Sequence, residues 1–179
     1  LSITIDITKQ TLIWLFIVAF LLHDLEEIIM VEFWAKKNKE KVLRKVPESI
    51  QADLSKMLTI TSGQFAVAVL LEFIIFIPFT YIAAEQGKYF VFLAINSLFF
   101  LHVFTHVGQS LYLRMYTPGV VSAVAIIMPY TMYLFYKLIS CELVTMKQIL
   151  LSAPVGLLVI PIVFVGHELG RKIVPNYEK

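Results

Sequence analysis

The chain has 179 residues, of which 59% are hydrophobic and 16% charged, with a net charge of +2 and a mean hydropathy of +0.80. Soluble domains run at about half apolar and about a quarter charged, so a water-soluble fold has nowhere to hide this much apolar surface. The small net charge and the lack of a basic stripe interleaved with aromatics exclude nucleic acid as a partner, and the single Cys141 excludes an internal disulfide.

Apolar runs of about eighteen residues or more recur along the chain, and strict two-residue alternation does not. In hydrocarbon every backbone polar group must be satisfied internally, so the pattern predicts an all-α, polytopic transmembrane bundle forming one domain over 1–179. Five spans are predicted, at about 11–34, 58–84, 88–113, 119–140 and 147–170. Each is long enough to cross a core of about 30 Å at roughly 1.5 Å per residue.

The first span carries His23-Asp24-Leu25-Glu26-Glu27. It is too long for a signal peptide and has no basic segment ahead of it, so it is expected to be retained. The segment 36–57 is the one sizeable hydrophilic stretch, with Val42, Val46, Ile50 and Leu54 recurring every fourth residue. It reads as an amphipathic helix, either lying on the inner membrane surface with its basic residues toward anionic headgroups or packed on the bundle's own inner loops. The second span brings Glu72, six residues before Pro78, and the third Asn96, His102, His106 and Gln109. Tyr116-Thr117-Pro118-Gly119 then makes a tight turn into a fourth span nearly bare of polar groups. The fifth ends with His167-Glu168 between Gly166 and Gly170, a spacing that favours close helix packing.

Lys and Arg gather in cytoplasmic loops. With the N-terminus outside, the inner side holds Lys36, Lys37, Lys39, Lys41, Arg44, Lys45, Lys56, Arg114, Arg171, Lys172 and Lys179, and the outer side only Lys9, Lys88, Lys137 and Lys147. The asymmetry predicts an integral, multi-pass protein with its N-terminus outside and its C-terminus cytoplasmic.

A charged group at mid-membrane costs at least about 2.5–3.5 kcal/mol on insertion scales, so such groups face the bundle interior and find partners. At about 100° per residue, Glu26 and Glu27 flank His23 on one helix face while Asp24 points off it, and His102, His106 and Gln109 share a face of the third span. Two imidazoles one turn apart make a bidentate clamp. His23, Glu26, Glu27, Glu72, His102, His106, His167 and Glu168 are therefore the candidate ligands of one or two divalent ions, zinc or iron being best suited to mixed imidazole and carboxylate donors. In a zinc site, His23, His102, His106 and one glutamate of the Glu26-Glu27 pair bind the ion. The other, taken as Glu27, serves as general base, and the Tyr116 hydroxyl stands at the mouth of the site.

The motif His23-Asp24-Leu25-Glu26-Glu27 resembles the signature of the HXXEE-motif family of integral membrane proteins. That family's pattern includes a further histidine, which His102 or His106 supplies, and a Tyr-x-Pro-Gly motif, matched by Tyr116-Thr117-Pro118-Gly119. The resemblance implies shared architecture and a shared polar site rather than a particular reaction.

Three functions compete. The residue types favour an intramembrane metalloenzyme, a hydrolase or a di-iron oxidase, acting on a lipid or another apolar small-molecule substrate. A proton- or metal-ion-coupled transporter or channel would use the same groups as a relay, although five spans without an inverted repeat would then call for a homo-oligomer. A non-catalytic membrane subunit would use them only to hold the bundle together. Membrane lipids are expected partners in every case.

Overall fold

The computed structural model describes residues 7–176, and every regular element among them is helical. Lys179 and the other residues at 1–6 and 177–179 that enter the charge and domain readings lie outside the described residues. Helix α1 (Lys9–Leu43) starts where the Thr8 hydroxyl accepts from the Thr11 amide and runs for 35 residues. Pro47 has no amide hydrogen to continue it, and α2 (Glu48–Met57) begins directly after that residue. Helix α3 (Ser62–Gln86) opens on a reciprocal capping box between Thr61 and Gln64 and ends at Gly87, whose φ of 67° is cheap only for glycine. Helix α4 (Phe90–Leu113) ends on Arg114, also left-handed.

The next two helices are broken, and proline explains both breaks. Val120–Ser122 (α5) leads through a π-helical turn at Ala123–Ile127 into α6 (Met128–Ser140). Pro129 cannot donate to the Ala125 carbonyl, and the Met128 amide reaches back five residues to Ala123 instead. In the same way α7 (Met146–Gly156), which opens on a Thr145/Gln148 capping box, gives way at Leu157-Leu158 to α8 (Val159–Ile173), ahead of Pro161.

Four stretches are long and apolar enough to cross a membrane: Ser62–Gln86, Phe90–Leu113, Val120–Ser140 and Met146–Ile173. The predicted first span forms as part of α1, the longest helix, but Asp24, Glu26 and Glu27 set it apart from the other four in composition. The amphipathic helix predicted over 36–57 is not a single element. Residues 36–43 continue α1 and bury Val42, the chain turns at 44–47, and only 48–57 forms a separate helix, with Ile50 and Met57 exposed. Proline at 47 outweighs the four-residue apolar period that suggested continuity.

The helices run up and down. At one end Gln10 and Trp14 of α1 reach Glu85 of α3. At the other, Trp34 Nε1 donates to the Tyr116 carbonyl and Lys45 Nζ to that of Leu113. This second end, with the connections at 44–47, 58–61 and 114–119, is called the basic end below. The broken α7–α8 helix crosses the bundle obliquely: α7 packs on α4, α8 on α3. Gly166 and Gly170 allow that crossing, since a Cβ at either would run into the α3 backbone at Ala68 or Gln64. The core toward the opposite end is a stack of rings from three helices, Phe16 and Phe20 of α1, Phe76 of α3, Phe92 and Phe99 of α4. Their centroids lie close to one another, as in Phe20–Phe76 at 5.1 Å and Phe16–Phe92 at 5.7 Å.

Candidate metal centre

One turn past the phenylalanine stack the interior changes character. On α1, His23 and Glu27 are four residues apart and face inward; on α4, His102 and His106 are likewise four apart and face them. One ligand atom from each of these four residues lies within 4.8 Å of all the others. His106 Nε2 is 2.8 Å from His102 Nε2 and 3.5 Å from Glu27 Oε1. The His23 ring is 4.9 Å from that of His106 and 5.6 Å from that of His102, centroid to centroid. His23 is 1% exposed, and its Nε2 has no hydrogen-bond partner among the described residues.

The loop between α4 and α5 closes the cluster from the basic end. Gly119 has φ 83°, and a Cβ there would stand 2.5 Å from His106 Cε1 and 2.9 Å from Glu27 Oε1. Only glycine therefore lets the loop approach so closely. Glu26 holds the loop in place. Its Oε1 accepts from the Tyr116 hydroxyl and its Oε2 from the Ser122 amide, both at 2.7 Å, so the carboxylate also caps the first turn of α5. Burial and the adjoining Glu26 carboxylate push the Tyr116 hydroxyl above its ordinary range, which keeps it a donor. On the far side of the rings, His23 Nδ1 is 2.9 Å from Ser122 Oγ and His102 Nδ1 is 3.1 Å from Thr105 Oγ1.

Of the eight candidate ligands, the structure brings together His23, Glu27, His102 and His106. Glu26 is not among the converging four, because both its oxygens are engaged by the loop. Glu72 is buried on α3, within electrostatic reach of Asp24 and Glu27 but outside the four-residue cluster. His167 packs on Phe65 at 5.2 Å, and Glu168 is an exposed residue paired with Arg171 at 2.9 Å. Gln109, expected on the histidine face, is exposed, whereas Asp24, expected to point off its face, is buried with Oδ2 unpartnered. Helical angles alone cannot say which side of a helix its neighbours cover. Ser122, Thr105 and Trp34 also belong to the site, but a hydroxyl in an apolar span and a tryptophan near its end carry no signal in the sequence until their partners are known.

Fold and cluster together define a helical protein with membrane-length apolar helices and a buried histidine and glutamate group able to hold a metal ion. The chain belongs to the HXXEE-motif family: the family model, described as a protein of unknown function with HXXEE motif, matches residues 14–134. That match contains all four converging residues and ends before His167 and Glu168. The chain is also similar to an uncharacterized protein, YrkK, of Bacillus subtilis (strain 168), with 21% identity over 164 residues covering 89% of this chain and 96% of the relative. No solved structure matches the chain.

Proposed function

We propose that the protein is an integral membrane metalloenzyme in which His23, His102 and His106 hold one divalent ion, zinc or iron, and Glu27 is the general base. The observation that carries this reading is the convergence of three imidazoles and one carboxylate from two helices at a single buried point. The donor chemistry fits, since neutral imidazole with carboxylate suits both metals, and a three-histidine site leaves a coordination position open for substrate. A bound divalent ion would supply Lewis acidity there. Glu27 lies beside the imidazoles with no amide or hydroxyl bonded to it in the way Glu26 is bonded, so it is the carboxylate free to take a proton from water. The neighbouring glutamates thus divide the work between a base and a latch, and Tyr116 belongs to the latch rather than to catalysis.

Three imidazoles and a single carboxylate suit one ion with an open position better than a carboxylate-bridged pair of irons, which favours hydrolysis over oxidation. The turns of α1 and α4 that carry the histidines present Leu22, Leu25, Leu101 and Phe104 outward, so a molecule arriving sideways comes through hydrocarbon. This supports a lipid or another apolar substrate. With α1 as a fifth span, the basic end faces the cytoplasm and the N-terminus lies outside, as the distribution of Lys and Arg favours.

Elemental analysis of the purified protein tests the proposal. About one ion per chain is expected, lost in folded His23→Ala and His106→Ala and kept in Glu27→Gln, which should lose turnover instead. A folded, metal-free wild type would overturn it. Asp24 and Glu72, buried between α1 and α3, are the observation favouring a transporter or channel. Flux into liposomes that disappears in Glu72→Gln, with no tightly held metal, would select that reading.

A further inference from the structure

We infer that Ser122 is a positioning residue that fixes the tautomer of His23, so that the Nε2 lone pair faces the centre of the cluster. Thr105 does the same for His102. The inference rests on the metal reading for its purpose, but not for its geometry.

A neutral imidazole carries one N–H, and a hydrogen-bond partner on one nitrogen decides which. Ser122 is buried, and its hydroxyl donates to the Gly119 carbonyl at 3.3 Å. The Glu26 carboxylate is a second acceptor for the same proton, so with a carbonyl and a carboxylate both drawing it, Ser122 Oγ is left to accept from His23 Nδ1, 2.9 Å away. His23 is therefore the Nδ1–H tautomer, and its partnerless Nε2 carries the lone pair. The same argument runs along α4. Thr105 Oγ1 donates to the His102 carbonyl at 2.7 Å and accepts from His102 Nδ1 at 3.1 Å, which leaves a lone pair on His102 Nε2. The 2.8 Å contact between His102 Nε2 and His106 Nε2 then needs a proton on His106 Nε2. His106 also donates to the Pro118 backbone carbonyl. Without metal, His23 and His102 thus hold their protons on Nδ1, with both Nε2 lone pairs turned to the cluster.

Ser122 is itself held in place. Its amide donates to Glu26, which also accepts from Tyr116, so the chain Glu26–Ser122–His23 links the latch to the ligand. Partners behind a ligating histidine orient the ring and set its basicity, and their loss typically costs 10–100-fold in metal affinity.

The test is ¹⁵N NMR of histidine-labelled, metal-free protein, with His23 assigned by its loss in His23→Gln, followed by titration with Co²⁺ read from its d–d absorption. Wild type should show His23 and His102 as Nδ1–H tautomers. Ser122→Ala should release His23 from that tautomer, weaken Co²⁺ binding by about 10–100-fold and change the absorption band, whereas Ser122→Thr, which keeps a hydroxyl, restores both. An Nε2–H tautomer for His23 in the wild type overturns the inference and needs no variant to fold. So does a Ser122→Ala protein with wild-type affinity and spectrum. Tautomers as assigned, in a wild type that takes up no Co²⁺, uphold the positioning role and count against the metal reading instead.

Discussion

The two ends of the bundle are held by different forces. Toward the opposite end, α1, α3 and α4 meet through Phe16, Phe20, Phe76, Phe92 and Phe99, whose edge-on packing has no polar requirement. Toward the basic end the same helices bury His23, Asp24, Glu72 and His106, and cohesion passes to hydrogen bonds from the 116–122 loop. Dispersion tolerates exchange for residues of similar volume. A buried polar group left without a partner costs several kcal/mol, roughly 2–7, so the second arrangement fixes identities as well as volumes. Helix α1 serves both ends, with phenylalanines on half of its inward face and ionisable groups on the other half. For that reason it is less apolar than the other membrane-length helices.

The contrast breaks most sharply if His106 is truncated. His106→Ala should take bound metal from about one ion per chain to none by elemental analysis, with the phenylalanine end intact. Phe16→Ala should do the converse, lowering stability by about 3–5 kcal/mol in thermal or denaturant unfolding while metal content stays at its wild-type value. Gly119→Ala strikes the boundary between loop and ligands. A left-handed backbone and a contact with His106 should together cost about 2–4 kcal/mol, with weaker metal binding as a second readout. Glu26→Gln removes charge from two hydrogen bonds and should cost about 1–3 kcal/mol, leaving the ion bound but held less tightly in a chelator competition. His167→Gln, at a residue that packs on Phe65 outside the four-residue cluster, should leave metal stoichiometry unchanged.

Much of this was legible in the sequence. Hydrophobic run lengths gave the helices, i, i+4 spacing gave the His102/His106 clamp on α4, and the helical angle put His23, Glu26 and Glu27 on one face of α1, since all depend only on helical geometry. That the clamp and that face meet could not be read, because it depends on which sides α3, α6 and α7 cover. The division between Glu26 and Glu27 was equally hidden. About 100° of helical rotation separates a loop latch from a member of the cluster, and only the position of Tyr116 and Ser122 shows which is which. Pro47, Pro129 and Pro161 were visible as letters, but their breaks show only where the backbone donors go.

X-ray absorption at the K-edge of the metal that copurifies tests the central claim most directly. The account predicts a light-atom shell at about 2.0–2.1 Å with the multiple scattering of three imidazoles, reduced or lost in His106→Ala. A shell with no imidazole signature, or one identical in wild type and His106→Ala, would contradict it.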